Sequence, residues 1–133
     1  FLLGKFCDKA FLENRHRILL DKDNIPFVHL VTPATENNRI QKIAKASERS
    51  FVYLVGNAQT TGGSYRMDDQ LDRYAEIKSL CGQVPVFLGF GIDSAAKKNL
   101  ACNVTDGVIV GSAFLKAVKY QKEQEFLRSI VDE

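Results

Sequence analysis

Four short runs of apolar, largely β-branched or aromatic residues punctuate this chain, at 26–31, 51–55, 84–88 and 107–110. Each is followed by a stretch with helical periodicity. A strand that is apolar on both faces needs cover on both faces, and amphipathic helices between successive strands supply it. This alternation predicts an α/β fold with a parallel sheet. Right-handed crossovers then bring every strand-to-helix loop to one rim of the sheet. The loops at 56–66, 89–93 and 111–112 are all of that kind, so their residues are expected to converge.

The segments read as follows. Residues 6–20 form a first helix and 21–24 its exit. The strand at 26–31 is stopped by Thr32-Pro33, and Thr35 is expected to cap a helix carrying Ile40, Ile43, Ala44 and Ser47 on one face. In the strand at 51–55, alternation puts Phe51, Tyr53 and Val55 on one side and Val52 and Leu54 on the other. A helix over 68–81 has Leu71, Tyr74, Ile77 and Cys81 on its apolar face. Asp93 or Ser94 is expected to cap a short helix holding Ala96 and Leu100. Ser112 opens a last helical region, in one piece or two, that runs to Glu133.

A chain of 133 residues with 45% hydrophobic residues is one globular domain or part of one. Its net charge is +2 and its bases are scattered among acids, which argues against a nucleic-acid partner. No apolar run approaches the roughly 20 residues of a membrane span. The segment Phe1-Leu2-Leu3-Gly4-Lys5 lacks the basic and apolar regions expected of a signal peptide, and without an initiator Met the start of translation is expected upstream. Cys7, Cys81 and Cys102 are odd in number and share no metal-ligand spacing, which reads as reduced thiols in a cytoplasmic protein.

Chemistry concentrates at two glycine-bearing strand ends. The first is Val86-Phe87-Leu88-Gly89-Phe90-Gly91-Ile92 and the second Gly107-Val108-Ile109-Val110-Gly111-Ser112-Ala113. Without a Cβ, backbone N–H groups approach an anion closely, and a helix N-terminus behind them favours negative charge. A dinucleotide fingerprint would need glycine at position 94, where this chain has Ser94. An unliganded tight turn competes for Gly89-x-Gly91 taken alone, and an ordinary helix cap competes for Gly111-Ser112. The pairing of the two on the last two strands raises the phosphate reading, because barrel enzymes bind phosphate there. Thr60-Thr61-Gly62-Gly63-Ser64 lies in a long loop suited to a lid, with a plain surface loop as the alternative. Tyr53 either lines a pocket or belongs to the core. His16 and His29 have no ligand partners at metal spacing. Asp68, Asp69 and Asp72 read as a solvated helix start, Asp93 and Asp106 as caps, and no acid–base carboxylate pair is visible.

Together the strand at 51–55, the run to Thr60-Thr61-Gly62, the motif Pro85-Val86-Phe87-Leu88-Gly89-Phe90-Gly91-Ile92 and the motif Asp106-Gly107-Val108-Ile109-Val110-Gly111-Ser112-Ala113 resemble the tryptophan synthase alpha chain family. The likeness extends over residues 11–133, with the segment at 27–33 and Arg39-Ile40-x-x-Ile43 in the same register. It implies a (β/α)8 TIM-barrel fold, here incomplete, with about four βα units of the C-terminal half. It implies a lyase that cleaves indole-3-glycerol phosphate to indole and glyceraldehyde 3-phosphate in tryptophan biosynthesis. The expected partner is a beta chain carrying pyridoxal phosphate, with no cofactor or metal on this chain. Carried onto these positions, Gly62, Gly89, Phe90, Gly91, Gly111 and Ser112 hold the phosphate or line its pocket. Tyr53 borders the substrate, and Thr61 supports a catalytic aspartate when the loop closes.

The sequence departs from that family in three ways. The acid–base glutamate and the aspartate that engages the indole nitrogen belong to the first half of the barrel and have no counterpart here. Residues 1–10 resemble the family's third helix and Phe11 onward the fourth, so a segment is expected to be missing between Ala10 and Phe11. Gly56-Asn57 also replaces small Ser-type residues, and Gly63 follows the Thr-Gly pair, changes expected to loosen the lid. The chain is therefore expected to supply binding and lid residues and to be inactive alone. The alternatives are a non-catalytic phosphate-binding half-barrel that pairs with another half, or another phosphosugar barrel such as an isomerase or epimerase.

Overall fold

The computed structural model describes residues 25–56 and 67–131. The helix expected at 6–20 and the join at Ala10–Phe11 lie outside them, as do Thr61 and Gly62. The elements in order are β1 (His29–Val31), α1 (Asn37–Ala46), β2 (Val52–Val55), a 3-10 turn (Met67–Gln70), α2 (Leu71–Cys81), β3 (Val86–Gly89), α3 (Ala95–Cys102), β4 (Gly107–Ile109), α4 (Ser112–Lys119) and α5 (Glu123–Val131). The strands form one parallel sheet in the order β1-β2-β3-β4. β1 and β3 start later than their apolar runs suggest, after Pro26 and Pro85, which have no N–H for a ladder, while β4 starts at Gly107 as expected. No helix among the described residues is long and apolar enough to cross a membrane.

Alternation along the strands sorts the core. Val31, Val52, Leu54, Val86 and Leu88 point outward and are fully buried with Ile40, Tyr74 and Ile77 from α1 and α2 and Ala101 from α3. The opposite set, Leu30, Tyr53, Val55 and Phe87, stays exposed or half-buried on the inner face. The expected α1 face of Ile40, Ile43, Ala44 and Ser47 is buried, as is the α2 face of Tyr74, Ile77 and Cys81, with Leu71 packed beside it. Burial raises the Cys81 thiol pKa, only partly offset by Lys78, so this cysteine is inert rather than nucleophilic.

Two local expectations are corrected. Thr35 does not cap α1. Its hydroxyl accepts the Thr32 N–H at 2.9 Å, closing the turn after β1, and Glu36 occupies the cap position without a side-chain bond. α3 holds Ala96 and Leu100 and is capped by Ser94, one of the two expected caps; its buried residues are Ala95 and Ala101, with Leu100 packed against the core. Ser112 is the first residue of α4 rather than its cap, a position taken by Gly111. The last helical region is in two pieces, α4 and α5, separated by Gln121 in a left-handed conformation (φ 56°).

Polar side chains tie the layers together. His29 Nδ1 lies 3.0 Å from Ser47 Oγ, and that hydroxyl donates to the Ile43 carbonyl at 2.8 Å. The hydroxyl's one proton is thereby used, so His29 is the donor to it. At the strand-entry end, Asp106 accepts the Val86 N–H at 2.7 Å and pairs with Lys78 Nζ at 2.8 Å. It brackets β3 to β4 and does not cap a helix.

Partial burial pushes the Asp106 carboxyl pKa up, but the Lys78 ammonium and the Val86 N–H together bring it below its ordinary value. A carboxyl whose pKa falls on folding stabilises the fold above its unfolded pKa, and that contribution is lost as pH falls through the folded value. Asp106→Ala is therefore expected to lower stability by about 1 kcal/mol at neutral pH, discounted for solvent screening. Urea denaturation at a series of pH values should show the gap to wild type closing as acid protonates the carboxylate.

Candidate functional site

The βα loops gather at one rim. Backbone pairing carries β2 past its end, with the Gly56 N–H donating to the Gly89 carbonyl at 2.9 Å. The register pair Gly89↔Ile109 brings the ends of β3 and β4 side by side. Gly91 and Gly111 each lie two residues beyond that pair, at equal steps past the sheet edge.

The two turns differ in construction. After β3, Phe90 has φ 102° and Gly91 φ 74°, so two consecutive residues are left-handed. Glycine adopts this freely, but a phenylalanine there carries strain of about 1–3 kcal/mol. The turn is held from below by buried Ile92 and Ala95, and from behind by Ser94, whose hydroxyl accepts the Lys97 N–H at 3.5 Å. It leaves the Phe90 ring 52% exposed at the rim. After β4, Gly111 precedes α4 and makes no side-chain cap. The first-turn N–H groups of a helix lack intrahelical partners, so those of α4 stay available to an external acceptor. A Cβ at Gly91 or at Gly111 would meet nothing within 4 Å. Backbone and space for an anion thus coincide at Gly91, Gly111 and Ser112.

Gly89 has a different job. It is buried, and a Cβ there would fall on the Tyr53 ring and hydroxyl. Glycine at this position lets Tyr53 lie across the inner end of β3, beside the Phe90–Gly91 turn. The same device recurs one strand over, where a Cβ on Gly107 would sit 3.1 Å from the Phe87 ring. Phe87 in turn packs on Phe51, with ring centroids 4.9 Å apart. The structure therefore brings Tyr53, Gly89, Phe90, Gly91, Gly111 and Ser112 to one end of the sheet.

Two residues that anchor this rim escape a reading by motif. Tyr74 is fully buried in α2, and its hydroxyl donates to the Gly56 carbonyl at 2.6 Å, fixing the end of β2. Its neighbour Arg73 donates from Nε to the Pro33 carbonyl at 2.9 Å and from Nη2 to the Thr35 carbonyl at 2.6 Å, holding the loop after β1. Arg73 Nη1 also reaches Asn37 and Glu76. Hydrogen bonds from Arg73, then Asn37, hold the Glu76 carboxyl below the usual carboxylate range. A signal was present in the sequence: an arginine beside a tyrosine in the first turn of the helix that follows the glycine-rich loop.

Removing the Tyr74 hydroxyl leaves the Gly56 carbonyl buried without its partner. Tyr74→Phe is expected to cost about 1–3 kcal/mol in urea denaturation. Amide exchange at Gly56 and Val55 should accelerate more than at β4.

Comparison with known proteins agrees with this geometry. The family model described as tryptophan synthase alpha chain matches residues 12–131. The tryptophan synthase alpha chain of Bacteroides thetaiotaomicron is 31% identical over 114 residues, covering 85% of this chain and 44% of the relative. That of Flavobacterium psychrophilum is 36% identical over 107 residues, covering 80% and 42%. The chain thus spans less than half the length of the curated relatives it matches. Among solved structures, the tryptophan synthase alpha subunit of Pyrococcus furiosus superposes with a TM-score of 0.76 at 22% identity, over 96% of this chain and 53% of that one. A tryptophan synthase from Mycobacterium tuberculosis in an aminoacrylate-bound form gives 0.71 at 22% identity, over 96% and 46%. The four parallel βα units are accordingly part of a TIM barrel, and this chain belongs to the tryptophan synthase alpha chain family.

Proposed function

We propose that this chain supplies the phosphate-binding half of a lyase site that cleaves indole-3-glycerol phosphate to indole and glyceraldehyde 3-phosphate. The observation that carries the reading is the placement of Gly91 and Gly111 at equal steps beyond the Gly89↔Ile109 pair, with an uncapped helix behind the second. The substrate phosphate accepts hydrogen bonds from the N–H groups of Gly91, Ser112 and the first turn of α4. Phe90, held outward by its strained backbone, and Tyr53, seated over Gly89, flank the indole ring. In the cleavage the ring carbon is protonated and the bond to the glycerol side chain breaks in a retro-aldol-like step. That step needs a desolvated acid–base group to move protons. The acidic residues Glu36, Asp68, Asp69 and Asp93 at this rim are exposed, and Asp93 pairs with Lys97 at 2.9 Å. Among the described residues no acid at this rim is protected from water, which supports a chain that binds but does not turn over alone.

The same reading assigns a beta chain bearing pyridoxal phosphate as the partner that consumes indole. It asks for no cofactor on this chain and suits a cytoplasmic enzyme.

Two outcomes are expected. Ser112→Asp places a carboxylate at a helix N-terminus, which favours the fold by about 0.3–1 kcal/mol but repels a phosphate. Calorimetry with glycerol 3-phosphate should show binding to the wild type and its loss in Ser112→Asp, while thermal stability stays level or rises. Equal binding by both chains would remove the phosphate from this rim. Separately, indole assayed from purified 133-residue chain with indole-3-glycerol phosphate should stay at the blank. Indole release above it would show that the chain carries its own acid–base groups.

A further inference from the structure

We propose that Arg73 is a positioning residue for the ring end of the site: through the turn after β1 it sets the wall that the indole ring meets, and it has no part in holding the phosphate. The proposal rests on the lyase reading and deepens it.

The rim has a direction. Its strand ends run in the order β1-β2-β3-β4. Gly91 and Gly111 lie beyond the ends of β3 and β4, and Tyr53 of β2 lies over Gly89, on the β1 side of both. A substrate with its phosphate at Gly91 and Gly111 and its ring against Tyr53 therefore extends across β2 toward β1. Leu30 of β1 is the register partner of Tyr53. The turn that begins two residues after Leu30 stands next along that line.

This turn is closed within itself and placed from outside. The Thr32 N–H donates to Thr35 Oγ1 at 2.9 Å, and the Thr35 N–H donates to the Thr32 carbonyl at 2.9 Å. Two further carbonyls of the turn are both taken by one side chain of α2. Arg73 Nε donates to Pro33 at 2.9 Å and Nη2 to Thr35 at 2.6 Å, across 40 and 38 residues of chain. The third nitrogen, Nη1, donates to Glu76 Oε2 at 2.6 Å and to Asn37 Oδ1 at 2.8 Å. Asn37 Nδ2 in turn donates to Glu76 Oε1 at 2.8 Å, which closes a ring of hydrogen bonds. Every nitrogen of the guanidinium is engaged, so its plane is fixed, a geometry that an ammonium cannot reproduce.

An arginine that served only its own helix would be satisfied by Glu76, and an exposed pair three residues apart contributes little. The bonds to Pro33 and Thr35 add nothing to the helix. They fix where an already closed turn stands, and such a turn shifts as a body when the fork is lost. The next residue, Tyr74, holds the end of β2 through the Gly56 carbonyl at 2.6 Å. The start of α2 therefore fixes the rim on the ring side at two adjacent strands. The turn after β3 is held by other groups, the buried Ile92 and Ala95 and the Ser94 cap. Separate supports for the two ends of the site make them separable by experiment.

Calorimetry on the full-length protein with two probes tests the assignment. Glycerol 3-phosphate carries the phosphate without the ring, and 3-(indol-3-yl)propyl phosphate carries both. The wild type should bind the ring-bearing probe more tightly. Arg73→Met keeps an apolar stem and removes every donor. It should weaken the ring-bearing probe about tenfold and leave glycerol 3-phosphate within about twofold. Arg73→Lys, which reaches one carbonyl at a time, should fall between the two. A general loss of fold weakens both probes by one factor, so the ratio of their affinities separates positioning from stability. If Arg73→Met does not fold, Asn37→Ala answers in its place, because it opens the ring of bonds at an exposed side chain and should lower the same ratio by a smaller factor. An unchanged ratio in the variants, or a parallel loss of both probes, would overturn the proposal and leave the phosphate reading standing. A wild type that binds glycerol 3-phosphate with no gain from the ring would overturn the ring-end assignment and spare the phosphate. A wild type that binds neither probe would overturn the lyase reading and this proposal together.

Discussion

Everything at the candidate rim depends on one packed layer, the outward face of the four strands against α1, α2 and α3. Val31, Val52, Leu54, Val86 and Leu88 are fully buried there, and Tyr74 and Ile77 are buried with them. Because strand residues alternate, burying this set fixes the register, and a slip of one residue would exchange the two faces. The register in turn decides which loop residues stand beside one another. Gly91 and Gly111 stand at equal steps past the sheet edge because Gly89 pairs with Ile109.

On that layer the rim is held by bonds to backbone rather than by contacts among the loop tips. Tyr74 fixes the end of β2 through the Gly56 carbonyl, and Arg73 fixes the loop after β1 through two more carbonyls. Both come from the start of α2, so a single helix positions two adjacent loops. The turn after β3 is different. It stores strain at Phe90, where φ is 102°, and the buried Ile92 and Ala95 on either side of the cap oppose its release. Strain in a non-glycine residue persists where neighbouring structure over-determines it, and such positions cluster at binding sites.

Much of this was legible in the residues. The period-2 pattern of β2 separated Val52 and Leu54 from Tyr53 and Val55, and the structure buries the first pair and not the second. The helix faces of α1 and α2 followed from their spacing for the same reason: burial selects a stripe, and a stripe shows as periodicity. Caps were less legible. Thr35 and Ser112 both have the right chemistry for an N-cap, yet each competes with a neighbour, and the choice turns on backbone angles set by the preceding strand. The role of Gly89 was hidden too, since nothing local distinguishes a glycine that makes room for a tyrosine from one that makes room for an anion.

The sequence by itself determined the class of fold, the order of its strands and helices, and the family, because these reside in periodicity and in motifs whose residues are neighbours along the chain. Only the tertiary structure decided which glycine does what. Gly91 and Gly111 open onto space at the rim, while Gly89 lies beneath Tyr53. It also decided that, among the described residues, Leu30 on the inner face and Leu115 of α4 are exposed. Those outcomes depend on contacts between segments distant in the chain, and no local pattern encodes the distance between them.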